Sequence, residues 1–245
     1  MKFNRSSIDE QLWQEYHNPA NADKQKWVKG LLQEAYLKAL DELTITIEEN
    51  ARRISHIQDI LNDNISEEEK LHYRNGILKY ENLSVLTKKV CEIYLIMLDV
   101  NTYGTYGIIA EDEWEWRTFA RHFYTVLYEH SNSVNRSINE ILKIVKSSIE
   151  EGYNLTSLIE AKKEYSAFIT DNSGFAKQIR VNVDAHFDGD YIEHLELITE
   201  LSYSGFVGLF HTYNNKMQSF LHELKPALDN IRISADFLYN RFPIR

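Results

Sequence analysis

The sequence predicts an all-α protein built as a bundle of long antiparallel helices. Three observations predict it. Apolar residues recur at steps of three and four along almost the whole chain, with no long alternation of period two. The only prolines are Pro19, Pro226 and Pro243, so nothing between the first two forbids helix. Nine glycines are all that punctuate 245 residues.

Residues 8–17 read as a short helix closed at Asn18-Pro19. The first long helix is expected over Asp23–Leu61, with the seam Leu32, Tyr36, Ala39, Leu43, Ile47, Ala51, Ile54, Ile57, Leu61. Asn62-Asp63-Asn64 is a turn. Ser66 then opens a second helix, and Glu69 three residues on completes a capping box. The seam of that helix is Leu83, Leu86, Val90, Ile93, Met97, Val100, the spacing that bundle packing needs. Tyr103-Gly104-Thr105-Tyr106-Gly107 reads as a loop. The acidic run Glu111-Asp112-Glu113 suits the positive end of the next helix, which is expected to reach Glu150 and end at Gly152. Its seam is Trp116, Phe119, Phe123, Val126, His130, Val134, Ile138, Ile141, Val145. Thr156 or Ser157 caps a fourth helix, Asp171-Asn172-Ser173-Gly174 breaks it, and a helical piece follows over 175–187. A fifth long helix is expected from Asp190, with Pro226 kinking or restarting it.

No repeat of fixed period and no low-complexity linker divides the chain. It is expected to be one helical domain over 1–245, made of an N-terminal helix pair at 22–101 and a bundle at 111–245. A core of this size needs no staples. The single cysteine, Cys91, excludes a disulfide framework within the chain and fits a reducing, cytoplasmic setting. Nothing resembles a signal peptide, and no apolar run reaches the length of a membrane span, so no membrane partner is expected. The net charge of −10 counts against non-specific binding of long duplex nucleic acid. Any contact with RNA has to be local, for instance through Lys162, Lys163, Lys177 and Arg180.

Chemistry concentrates in Ile179-Arg180-Val181-Asn182-Val183-Asp184-Ala185-His186-Phe187-Asp188-Gly189-Asp190. Arg180, five residues, His186 resembles the R-x(4–6)-H signature of the HEPN superfamily, helical bundles many of which are metal-independent ribonucleases. The resemblance covers roughly 111–225, and its specific part is the motif alone. It implies a homodimer in which two copies of the motif form one composite site at a helix end. It implies that Arg180 binds the scissile phosphate and that His186 is acid or base toward the RNA 2′-hydroxyl. Arginine offers a planar fork of donors, and histidine exchanges protons near neutral pH. No metal or cofactor is implied. Many family members carry a polar residue directly after the arginine. Here that position is Val181, and the polar role either passes to Asn182 or is lost. The implied substrate is single-stranded RNA or a structured loop. The implied context is a toxin or phage-defence effector, with an antitoxin or regulatory protein as partner.

Geometry sets a condition on this reading. In a regular helix Arg180 lies about 120° round from His186, so the two meet only if the helix unwinds or a second subunit supplies one of them. The plain alternative is a core histidine, since Ile179, Val183 and His186 share a face. Asp184 and His130 are candidate supporting residues, His130 only if its helix packs against the motif helix. Otherwise His130 is a buried histidine with a backbone or tyrosine partner. A rival use of the stretch is a single metal ion held among Asp184, His186, Asp188, Asp190 and His194. Glu69 and His72 form one Glu-x-x-His, where di-iron bundles need two. Trp114, Trp116, Phe119, Phe123, Tyr124 and Tyr128 could stack on a base, but their spacing is that of a buried seam. No phosphate-binding glycine loop, Gly-x-Ser-x-Gly, Cys-x-x-Cys or His-Glu-x-x-His occurs. A second function class remains open: a non-catalytic helical scaffold or regulatory protein-interaction module.

Overall fold

A computed structural model describes residues 7–18, 20, 22–63, 65–181 and 196–240, except the side chains of 22–29 and 31–33. The protein is all-α, and among the described residues there is no strand. Its helices are α1 (Ser7–Tyr16), α2 (Ala22–Leu61), α3 (Glu67–Ile108), α4 (Glu113–Ser148), α5 (Thr156–Ile179) and α6 (Tyr203–Asn240). A single helical turn lies at 196–199. No helix among the described residues is long and apolar enough to cross a membrane.

Local chemistry explains the ends. Ser66 and Glu69 form the expected capping box: the Ser66 N–H donates to Glu69 Oε2 at 2.8 Å, and the Glu69 N–H donates to Ser66 Oγ at 3.2 Å. Asp112 Oδ1 accepts the N–H groups of Trp114 and Glu115 at 2.8 and 2.9 Å, which caps α4. Gly152 follows α4 with φ +88°, a conformation that a side chain would strain. At the start of α5 it is Asn154, not Thr156 or Ser157, whose side chain meets a free amide, accepting from Thr156 N–H at 2.9 Å.

Other expectations are overturned as well. The stretch Tyr103–Gly107 is not a loop but the last turns of α3. Its two glycines bring the α3 backbone against aromatic rings of α6. A Cβ on Gly104 would overlap the Phe210 ring, and one on Gly107 would lie 2.6 Å from Phe206. Packing against those rings outweighs the poor helix propensity of glycine. The expected break at Asp171–Gly174 is also continuous helix. Asn172 Nδ2 donates back to Phe168 C=O at 2.8 Å and Ser173 Oγ to Thr170 C=O at 3.1 Å, so these side chains bond to their own helix. Ala176 and Ile179 are fully buried just beyond and anchor the last turns. Pro226 does not restart α6, which runs through it to Asn240. The proline is exposed, while Leu224, Ala227 and Ile231 are buried around it and keep the helix docked. Finally, no single helix runs on from Asp190. Residues 190–195 lie outside the described residues, and the chain is non-helical at 201–202. The buried Arg117 guanidinium donates there to the C=O groups of Ile198 (2.6 Å), Thr199 (3.2 Å) and Leu201 (2.8 Å), while Glu113 balances its charge at 2.9 Å. Ser202 Oγ then accepts the Gly205 N–H and opens α6.

The chain forms two compact units, each gathered from distant segments: residues 1–37, 95–135 and 163–218 in the first, and 38–94, 136–162 and 219–245 in the second. The first has an aromatic core. Trp116 meets Tyr203 edge-on at 5.5 Å, and Phe123 meets Phe206 edge-on at 5.4 Å. Burying each such ring stabilises the unit by roughly 1.5–3 kcal/mol. The Asp9 carboxylate accepts the Ser204 N–H at 2.7 Å, tying α1 to the N-terminus of α6. Asn101 Nδ2 reaches Tyr36 Oη and Asn214 Oδ1, both at 2.9 Å, joining α2, α3 and α6 by a buried polar contact. In the second unit the core is largely aliphatic, with Leu86, Ile138, Ile141 and Val145 buried beside Tyr80 and Phe220. At its edge Arg53 on α2 donates to both Tyr80 and Asp236, and Tyr80 Oη donates to Asp236 at 2.7 Å.

Candidate functional site

The motif begins where α5 ends. Ala176 and Ile179 are fully buried and seat the last turn of α5 in the first unit. Regular α geometry stops at Ile179, and Arg180 and Val181 take a wider π-type turn. The premise behind the 120° offset therefore lapses at Arg180. Its side chain is 37% exposed. The Arg180 Nε–H donates to Glu129 Oε1 on α4 at 3.0 Å. That bond takes one edge of the guanidinium, which has four further N–H donors.

Contacts spread along α4 and α5 hold the two helices together. The Tyr124 ring stands edge-on to Phe175 at 5.1 Å. Ser166 Oγ donates to Asn135 Oδ1 at 3.2 Å. Leu127, Tyr128 and Ser131 of α4 close against Ile169, Asn172 and Ala176 of α5, leaving no space for a water molecule. α4 therefore packs against α5, the helix that leads into the motif. His130 is the residue after Glu129 and is partly exposed. Asn182, Asp184 and His186 lie outside the described residues, as do Asp188, Asp190 and His194 of the metal alternative. The structure accordingly brings Arg180 to Glu129 on α4.

Glu129 is the residue that sequence reasoning passed over. It is a charged side chain on an exposed helix face, 51 positions from its partner. Its one signal is its place directly before His130. A rim of this kind can hold an anion: the arginine supplies a fixed fork of donors, and the carboxylate sets its orientation until an anion takes its place.

An open cleft of about 360 Å³ lies in the same unit, lined by Tyr124, Phe168, Asn172, Phe175, Leu209 and Thr212 among others. Burial pushes the Tyr124 hydroxyl up to about 12, so it is a neutral donor near physiological pH. The cleft can take an aromatic ring, and among the described residues no carboxylate, histidine or lysine lines it. Of the aromatic residues of α4 weighed for stacking, Trp116, Phe123 and Tyr124 are buried, while Trp114 is 48% exposed. Glu69 and His72 are bonded within the chain. Glu69 caps α3, and His72 Nε2 lies 2.8 Å from the Leu238 carbonyl oxygen. Among the described residues no three His, Cys, Asp or Glu side chains converge on a metal position.

Comparison with protein-family models, curated proteins and solved structures finds no match to this chain.

Proposed function

We propose that the chain is a HEPN-like, metal-independent RNA endonuclease, with Arg180 as the phosphate ligand and His186 as the proton-transfer group. One observation carries the reading. Regular helix stops at Arg180, the first residue of the motif, and convergence of Arg180 on His186 within one chain requires such a departure. The partly exposed guanidinium, held at Glu129 on α4, supports it. In the proposed reaction the RNA 2′-oxygen attacks the adjacent phosphorus. A P–O bond forms to the 2′-oxygen and the P–O5′ bond breaks, leaving a 2′,3′-cyclic phosphate. A base takes the 2′-hydroxyl proton and an acid returns one to O5′. Arg180 stabilises the charge that gathers on the phosphoryl oxygens. Asn182 orients the phosphate, and Asp184 and His130 hold the pair in place. Two copies of the motif form the composite site. The substrate is single-stranded or looped RNA, the setting cytoplasmic, and the role that of a toxin or phage-defence effector held in check by an antitoxin or regulatory protein.

The test is cleavage of a mixed single-stranded RNA pool with and without EDTA. Arg180→Ala and His186→Ala should each lower cleavage by about 10²–10⁴-fold while the melting temperature holds. Cleavage should persist in EDTA. Loss under chelation would move the motif to metal chemistry. An inactive wild type together with a lower melting temperature in His186→Ala would make the histidine structural, because an orphaned buried polar group costs about 1–3 kcal/mol.

A second reading, a non-catalytic helical scaffold or regulatory module, is favoured by the Arg180–Glu129 pair, which gives the arginine a structural partner within the chain. Glu129→Gln separates the two. In a ribonuclease it removes a competitor of the phosphate and lowers KM for RNA. In a scaffold it changes stability by under about 1 kcal/mol and nothing else.

A further inference from the structure

The second unit carries, on the outward side of α3, an apolar row that its own core does not use. Leu71, Leu78 and Val85 are 60%, 55% and 42% exposed, and they recur every seven residues. A seven-residue repeat keeps one line along a helix that supercoils with a partner. The core side of the same helix is carried by Tyr73, Gly76, Tyr80 and Leu83, all buried. The outer row therefore faces away from them. Solitary exposed leucines are ordinary on a surface. Three in heptad register on one helix are not arranged as solitary residues.

The charges flanking the row say what covers it. On one flank, three or four residues from each apolar position, stand Glu67, Arg74, Glu81 and Lys88, all exposed. On the other stand Glu68, Asn75, Asn82 and Lys89. A second copy of α3 laid antiparallel, with Leu78 on the twofold axis, brings each flank against its own copy. Leu78 then meets Leu78, and Leu71 meets Val85. On the first flank Glu67 meets Lys88 and Arg74 meets Glu81, each pair twice. On the second, Glu68 meets Lys89 and Asn75 meets Asn82. Every facing pair is opposite in charge or neutral. A parallel pairing brings the two different flanks together instead, and so sets Glu67 against Glu68 and Lys88 against Lys89. The pattern is complementary to itself in one orientation and repulsive in the other.

We propose that the outward face of α3 from Glu67 to Lys89 is a self-recognition surface, on which a second copy of this chain lays the same helix antiparallel about a twofold axis at Leu78. Glu67 also meets Lys70 at 2.7 Å, and Lys89 meets Glu92 and Glu140 at 3.1 Å each, within the chain. Such exposed pairs exchange partners at little cost. The surface does not involve the Arg180 motif and stands apart from the ribonuclease reading.

Sedimentation of the full chain over about 1–100 µM, the upper affinity range for modest interfaces, reads the assembly directly. The wild type should associate in that range by a step that Leu78→Glu removes, whatever dimer the Arg180 motif itself makes. Arg74→Glu and Glu81→Arg should each weaken association about tenfold, because each creates two like-charge contacts per dimer. The double variant should return to nearly wild-type affinity, since the swap restores complementarity on both copies. Orientation is read by disulfide formation in a Cys91→Ser background. Leu78→Cys should cross-link to its own copy. Leu71→Cys should not, because the two copies of that position lie about 21 Å apart in the antiparallel pair, far beyond disulfide reach. A wild type that stays monomeric at about 100 µM overturns the proposal and leaves the face to another protein. A dimer indifferent to Leu78→Glu overturns it as well, and is the result that a dimer through the Arg180 motif would give. Cross-linking at Leu71→Cys overturns the antiparallel arrangement.

Discussion

A single hydroxyl shows how the first unit tolerates polar atoms in its core. Tyr213 is buried among Tyr165 and Phe168, and its Oη has no hydrogen-bond partner among the described residues. A buried hydroxyl without a partner costs about 1–3 kcal/mol. Tyr213→Phe keeps the ring and removes that cost. It should leave the fold unchanged and raise stability by about 1 kcal/mol, read as the shift in a denaturant midpoint. The buried Asn101 behaves oppositely, since its amide already serves Tyr36 and Asn214. Arg180 lies between these cases. The sequence marks it by its position in the motif, but no local pattern could reveal its partner, because Glu129 comes to it only through the packing of α4 on α5.

Helices were legible where the three-and-four pattern was strong, and misread where composition spoke against the fold. Ser66 and Glu69 declare the start of α3 in a four-residue stretch, because both halves of the capping box are local. Gly104 and Gly107 look like a loop for an equally local reason, and the rings that make them helical come from α6, about a hundred positions away. Asn172 and Ser173 mislead in the same manner, because their back-bonding to the helix is invisible in composition. The close approach at Gly104 carries its own test. Gly104→Ala improves intrinsic helix propensity by about 1 kcal/mol. It also forces a methyl group into the Phe210 ring, and overpacking of that kind costs about 1–3 kcal/mol. The clash outweighs the propensity, so the variant should melt lower than wild type. A Gly104→Ala/Phe210→Leu pair should recover part of the loss. At Gly174, where a Cβ meets nothing within 4 Å, the same substitution should stabilise the protein.

Across the molecule, alkaline pH probes the first unit as a whole. Burial raises the hydroxyls of Tyr124, Tyr165 and Tyr213 well above their ordinary value of 10. Each therefore keeps its proton in the folded chain at a pH where the unfolded chain has lost it. The folded state then binds more protons, and stability falls as pH rises. Stability from these groups should be complete below about pH 10 and decline above it, a decline seen by following the melting temperature from pH 9 to 12. The absorbance that reports tyrosinate should appear in step with unfolding for these three residues. The division of the chain has a further consequence, in time rather than in energy. Asp9 waits for Ser204, and Tyr36 with Asn101 waits for Asn214. During synthesis neither union can close until some two hundred residues have left the ribosome, so the early helices emerge long before their partners do. This helical protein therefore resembles a sheet protein in its loop-closure burden. Its birth, at about 5–20 residues per second, includes an interval of roughly three to ten seconds in which α1 to α4 are complete but lack their partners on α6, open to holding chaperones.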